Sequence, residues 1–226
     1  MIIGLVGFIG SGKDTAADYL VTNHGFRRES FAGTLKDAVA AVFGWDRVLL
    51  EGKTTEARAW RDQVDTWWAK RLCVPNLTPR MVLQQWGTEV VRQGFHDDMW
   101  VASLENKLRK TADDIVISDV RFPNEIKAIH NAGGMVVRIK RGPEPEWYRA
   151  ALDYNAGVRR CGWALGKDTL DRLGVHTSEY AWIGSNIDYT IENSGSIDDL
   201  FSNVKSQVLD RSASTEEMIP ELQLDN

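Results

Sequence analysis

Short strand-like runs alternate along this chain with segments whose apolar residues recur at helical spacing. The first run, 2–6, is apolar, ends in glycine and reads as a buried parallel strand. Residues 13–23 place Ala16, Ala17, Leu20 and Val21 on one side and stop near Gly25, which predicts a helix. A second strand is expected over 26–31. Helical stretches follow at 34–43, 55–71, 79–93 and 98–110, the last with Asp97 and Asp98 at its positive end. Residues 114–119 form the clearest buried strand; Pro123 then opens a helix that Gly133 and Gly134 close, and 135–140 is a fourth strand. From 142 to 184 the pattern weakens into prolines, arginines and scattered tryptophans, too long a stretch for a loop, which reads as an insertion with short helices. A fifth strand at 187–191, a turn at Asn193-Ser194-Gly195 and a helix from Ser196 carrying Leu200, Val204 and Val208 follow. The acidic, polar residues 212–226 predict a disordered tail.

Strands alternating with helices imply one α/β domain, 1–211, built on a mostly parallel five-stranded sheet with helices on both faces. A helical region at 33–110 and a lid-like insertion at 142–184 are its additions. Ligands of such sheets bind outside the carboxyl ends of the strands, so the loops after the strands are where chemistry is sought.

Composition narrows the picture further. The 226 residues suffice for such a domain with an insertion, and the net charge of −5 argues against a grip on long nucleic acid. No apolar run reaches the roughly 18 residues that cross a bilayer, and the first residues lack the basic region of a signal peptide. Cys73 and Cys161 lie far apart without a metal-ligand pattern, which suggests a reducing, cytoplasmic compartment. The four histidines are equally scattered, arguing against structural zinc. Among the nine tryptophans, Trp60 and Trp67 recur at helical spacing and are expected in the core.

The strongest chemical signal is Gly7-Phe8-Ile9-Gly10-Ser11-Gly12-Lys13-Asp14-Thr15, a P-loop lying between an apolar strand and a helix. Glycines let backbone N–H groups turn inward around phosphate oxygens, and the helix N-terminus adds partial positive charge. Gly10, Ser11, Gly12, Lys13, Asp14 and Thr15 are thus the expected nucleotide cradle, with Lys13 following charge on the β- and γ-phosphates. The usual Ser/Thr after the lysine is Asp14 here, expected to help order magnesium through water. No Asn-Lys-x-Asp guanine-reading motif is present, which disfavours a GTPase. Asp119, at the end of the third strand, is placed to hold the magnesium shell or orient the attacking oxygen, and Arg121 to clamp a phosphate. A surface ion pair is the plain alternative for these two.

In order, Ser11-Gly12-Lys13-Asp14-Thr15, Phe31-Ala32-Gly33-Thr34-Leu35-Lys36, Leu83-Gln84-Gln85-Trp86-Gly87-Thr88-Glu89, Asp98-Met99-Trp100-Val101, Ser118-Asp119-Val120-Arg121-Phe122-Pro123-Asn124-Glu125 and His176-Thr177-Ser178-Glu179 resemble bacteriophage deoxynucleoside monophosphate kinases. Only the P-loop is specific taken singly; the ordered set is what carries the resemblance, over most of 1–205. It implies an adenylate-kinase-like core, ATP as donor, magnesium, conversion of dNMP to dNDP for DNA precursors, and the host's cytoplasm if the chain is viral. The segment between Arg141 and His176 departs from the pattern, so the resemblance says little about lid contacts.

The acceptor pocket needs cations for a dianionic phosphate and a flat apolar slot for a base. Lys36 and Arg92 are candidates for the phosphate, Trp86 for stacking on the base, and Glu125, His176 and Glu179 for further contacts. Arg138, Arg141, Arg149, Arg159 and Arg160 are candidates to close over phosphates. Each has a bland reading too: Lys36 a solvated helix lysine, Trp86 a core residue in line with Val82 and Val90, His176-Thr177-Ser178-Glu179 a helix cap. Two other functions stay open at this level, a phosphomevalonate-kinase-like enzyme and a nucleotide-gated module that binds without transfer. The sequence leaves base preference and oligomeric state open; a homodimer is compatible with it.

Overall fold

The computed structural model describes residues 1–157 and 161–210. Five strands, β1 (Ile2–Val6), β2 (Arg27–Glu29), β3 (Ile115–Ile117), β4 (Met135–Lys140) and β5 (Tyr189–Glu192), form one sheet in the order β2-β3-β1-β4-β5. Every pairing is parallel, with Gly4 opposite Ile117 and Val6 opposite Arg138. The strand carrying the glycine-rich turn therefore lies in the middle, with β3 on one side and β4 on the other.

The two-residue period of the strands sorts their side chains onto two faces. Ile3, Leu5, Val116, Val137 and Ile139 meet Ala16, Ala17 and Leu20 of α1 (Lys13–His24) and Leu200 and Val204 of α12 (Ile197–Val204). Val6, Ile115, Ile117 and Val136 face the other way, toward α2 (Gly33–Phe43), α7 (Met99–Leu108) and α8 (Pro123–Asn131). Leu5, Leu20 and Ile117 are within 1% of complete burial, each a gain of about 1.5–3 kcal/mol over the exposed side chain. Such sheets need cover on both faces, which is why β1, β3 and β4 read as continuous apolar runs.

The helical region is more broken than its periodicity suggests. Between α2 and α7 lie α3 (Arg47–Glu51), α4 (Thr55–Arg61), α5 (Thr66–Leu72) and α6 (Pro79–Gln85). The single helix expected over 55–71 is two, because Asp65 accepts from Trp68 N at 3.0 Å and starts a new one. The break removes the common face of Trp60 and Trp67. Trp60 packs against the core, whereas Trp67 is 63% exposed, contrary to its expected burial. After α6 the chain continues as a π-helical stretch, Trp86–Gln93, so the stripe Val82, Trp86, Val90 is not kept: Val82 is buried and Val90 is 54% exposed.

The insertion supplies α9 (Tyr148–Asn155), α10 (Cys161–Arg172) and α11 (Thr177–Tyr180). Of the expected strands, 2–6 and 135–140 are kept, 26–31 and 114–119 shorten at both ends, and the fifth shifts from 187–191 to Tyr189–Glu192. Just before β5, the Asp188 carboxylate accepts from Val136 N at 2.7 Å and meets His130 at 2.8 Å, while its own N–H donates to Val136 O at 3.0 Å. Arg159 and Arg160 and the expected tail, 212–226, lie outside the described residues. No helix among the described residues is long and apolar enough to cross a membrane.

Candidate active site

The turn after β1 follows from its glycines. Gly7 and Gly12 have φ of +147° and +102°, and a Cβ on either would collide, with Ile139 O and with Asn193 Nδ2 respectively. Gly12 precedes α1 without any side-chain cap. The first N–H groups of that helix have no intrahelical acceptor and are presented at the sheet's carboxyl edge. Ser11 Oγ is buried with no hydrogen-bond partner, a further donor in the same turn. Uncapped amides, a buried unpartnered hydroxyl and a lysine at one turn fit a polyphosphate.

Lys13 folds back over this turn, its Nζ donating to Gly7 O at 2.6 Å and Phe8 O at 2.8 Å. Burial, followed by the charge of Arg121, brings its pKa from 10.5 down to about 8; Asp14, Glu179 and Asp119 pull the other way. Residues far apart in sequence thus converge on one amine. Asp119 Oδ2 accepts from Ser30 Oγ at 2.7 Å and Ala32 N at 2.9 Å, and its Oδ1 from Phe31 N at 3.1 Å. It ties the loop after β2 to the end of β3 and keeps accepting capacity on Oδ1. Asp14 meets Arg28 through its Oδ1, and Arg28 also binds Asp18 at 2.7 Å and Ser118 Oγ at 2.7 Å. Arg121 donates through one nitrogen to Glu179 at 2.5 Å and Ser178 O at 3.3 Å, and its side chain is 42% exposed. Arg121 and Glu179 therefore come together beside Lys13, with Asp119 and Asp14 close by.

Several other candidates are turned into the protein. Arg92 is bonded to Glu125, both side chains 3% exposed, and also donates to Asp97 O at 2.8 Å with its guanidinium 4.0 Å over Phe122. Glu125 accepts from Arg121 N at 2.7 Å and Phe122 N at 3.1 Å, which caps α8. Burial pushes its pKa up to about 7 against the pull of Arg92. This pair fixes the loop that carries Arg121; it does not offer a cation to an acceptor phosphate, the part expected of Arg92. Lys36 bonds Glu51 at 2.8 Å, with a side chain 12% exposed. Although burial opposes it, Lys36 and Arg47 hold Glu51 down at about 2, so the expected free lysine is a neutralised one. Trp86 lies edge-on to Phe43 at 5.5 Å, half-buried.

His176 caps α11 by accepting from Ser178 N at 3.2 Å, and its other nitrogen reaches Glu89 at 3.1 Å. The cap is thus the histidine itself, and it joins the insertion to the π-helical stretch. Arg138 is gripped by both oxygens of Glu144 at 2.7 and 2.6 Å, with its guanidinium 5.0 Å from Trp182 and 5.8 Å from Phe8 of the P-loop. Arg141 and Arg149 are exposed.

Two features escaped the sequence reading. Asn193, 9% exposed, donates to Ser11 O at 2.8 Å and clamps the P-loop from the end of β5. An Asn-Ser-Gly turn gives no sign of this, since the contact spans 182 positions. Arg58, Arg61 and Arg80 cluster on α4 and α6, hidden in sequence among ordinary helix charges. A pocket of about 280 Å³ lined by Trp60, Val64, Trp67 and Pro79 includes none of the expected site residues.

No family model matches the chain. A protein of Acanthamoeba polyphaga mimivirus named as a deoxynucleotide monophosphate kinase is 36% identical over 155 residues, covering 62% of this chain and 74% of the relative. The chain belongs to the deoxynucleoside monophosphate kinases. The deoxynucleoside-5′-monophosphate kinase of Escherichia phage T5 is 29% identical over 174 residues, 55% of this chain and 70% of that one. Among solved structures, a shikimate kinase from Aquifex aeolicus covers 94% of this chain and 99% of its own at 12% identity and a TM-score of 0.41. The dephospho-CoA kinase of Campylobacter jejuni covers 92% and 96% at 16% identity and a TM-score of 0.39. The chain is accordingly a phosphotransferase with a parallel α/β kinase fold, and ATP is the phosphoryl donor that membership implies.

Proposed function

We propose that this kinase transfers the γ-phosphoryl group of ATP to the phosphate of a deoxynucleoside monophosphate. An oxygen of the acceptor phosphate forms the new bond to the γ-phosphorus. The bond from that phosphorus to the bridging oxygen breaks, and its electron pair leaves with ADP. The acceptor oxygen is already ionised, so no general base is needed, and positioning and charge stabilisation supply the acceleration.

The observation that carries this reading is the gathering of Arg121, Asp119 and Glu179 around the P-loop lysine in a member of this family. Lys13 leaves its two carbonyls to follow charge on the transferring group, and the amides of α1 cradle the donor phosphates. Arg121, with one nitrogen engaged and a side chain still partly exposed, bridges donor and acceptor phosphates. Asp14 and Asp119 would hold magnesium through water, which suits an ion that keeps most of its waters and takes one or two carboxylates beside phosphates. That ion supplies neutralisation of phosphate charge. The region 33–110 forms the acceptor side and 142–184 the lid, with His176 against Glu89 joining them.

A coupled assay of ADP release with each of the four dNMPs, the matching ribonucleotides and phosphomevalonate tests the proposal. Turnover that requires a dNMP is expected. ADP release independent of acceptor, or turnover with phosphomevalonate alone, overturns it.

A further inference from the structure

The turn between β1 and α1 is flexible by composition. Gly7 and Gly10, with φ of +147° and +78°, bracket Phe8 and Ile9, and a Cβ on Gly10 would meet nothing within 4 Å. Fixing a glycine-rich segment costs conformational entropy, so a cradle that stands ready for phosphate needs anchors. Asn193 is one, through Ser11 O. Phe8 supplies another. Ile9 beside it is 76% exposed, whereas the Phe8 ring is half-buried among aromatic side chains from distant parts of the chain.

These side chains form a socket. Trp147 stands edge-on to Phe8 at 5.4 Å, Tyr148 likewise at 6.2 Å, and Trp182 lies tilted to it at 5.2 Å. Trp147 and Tyr148 begin α9 and Trp182 follows α11, so all three belong to the insertion. Trp182 is 3% exposed, and its Nε1 donates to Glu179 O at 3.1 Å. Arg138 joins them from β4, where it pairs in register with Val6, the last residue before the turn. Its guanidinium lies 5.0, 5.4 and 5.8 Å from the Trp182, Tyr148 and Phe8 rings, within reach of a cation–π attraction. Glu144 already grips this cation with both oxygens. The other end of Phe8 faces the site: its carbonyl accepts from Lys13 Nζ at 2.8 Å and from Ser11 N at 3.2 Å.

We propose that Phe8 is a positioning residue for the donor phosphates. The socket holds its ring, and its carbonyl thereby sets the resting place of the Lys13 amine and the Ser11 amide. Arg138, which sequence reasoning gave to phosphate, holds the socket instead. A turn ordered in advance lowers the cost that the triphosphate would otherwise meet on binding. The proposal rests on ATP as donor and is independent of the acceptor.

Initial rates of the full chain are measured for wild type, F8L and R138K, varying ATP at saturating dNMP and dNMP at saturating ATP. F8L keeps an apolar side chain without the ring; R138K keeps a charge beside Glu144 without the planar cation. F8L is expected to raise the KM for ATP by about 3- to 10-fold, the range for losing one aromatic pair, with the KM for dNMP within about twofold. R138K should raise the KM for ATP by about 2- to 5-fold. Tryptophan fluorescence gives a second readout. ADP should change the emission of wild type as the turn shifts against Trp147 and Trp182; W147F should diminish that change, and F8L should remove most of it while calorimetry still detects ADP binding. Thermal unfolding checks that the variants are folded. Should F8L not fold, R138K decides alone, an ATP-selective rise of at least about twofold supporting the role and an unchanged KM overturning it. Equal shifts in both KM values, no shift in F8L, or an ADP-induced emission change as large in F8L as in wild type overturns the positioning role while leaving the kinase reading intact. Should no dNMP be turned over, the proposed acceptor falls and the fluorescence still decides Phe8. Wild type that binds no ADP overturns both.

Discussion

Replacing Lys13 by methionine should make the protein inactive and, at neutral pH, more stable. The amine is brought from 10.5 to about 8 mainly by burial, so carrying its charge costs the folded state about 3 kcal/mol. Methionine keeps an unbranched side chain as far as Cε and removes the charged amine. It also leaves Gly7 O and Phe8 O without the donor they have at 2.6 and 2.8 Å, a loss of about 1 kcal/mol each. The balance is a gain of about 1 kcal/mol at pH 7. The sign of its pH dependence is fixed by proton counting. Between pH 8 and 10.5 the folded wild type has released the lysine proton while the unfolded chain still holds it, so wild-type stability rises with pH. The advantage of the variant therefore shrinks over that interval and reverses by about pH 10.5, where wild type keeps two hydrogen bonds and no buried charge. Urea denaturation followed by tryptophan fluorescence at steps from pH 7 to 10.5, with turnover measured in parallel, gives both quantities. A variant less stable than wild type at pH 7, or a difference that stays flat across the interval, refutes the argument that the P-loop stores an unfavourable buried cation for its substrate.

Arg92→Met should cost about 3–5 kcal/mol by stranding the Glu125 carboxylate, and adding Glu125→Gln should recover much of the loss; denaturant midpoints of the four forms decide, and a coupling near zero would contradict a buried pair. Asn193→Ala removes the clamp on Ser11 O and should raise the KM for ATP by about 3- to 10-fold with little change in that for dNMP, which steady-state kinetics can separate.

What the residues announced by themselves was local. The strand 2–6, the glycines at 7 and 12, and a lysine opening a helix form one continuous piece of chain, so their pattern dictates a phosphate cradle before anything else folds. The apolar runs at β3 and β4 likewise declare a sheet covered on both faces. Helix ends were less legible: Asp65 and the π-helical turn at Trp86 rearrange which tryptophans are buried, although the apolar spacing reads as uninterrupted. The partners of charged side chains were not legible at all. Lys36, Arg92 and Arg61 look alike in a linear string, yet the first two meet Glu51 and Glu125 while the third meets no acid. An ionic group's role depends on which opposite charges the fold brings within a few ångströms, and those lie up to dozens of positions away. Sequence alone determined the cradle and the sheet, because both arise from neighbours along the chain. Tertiary structure alone decided which cations are already neutralised, because charge pairing is settled across the chain.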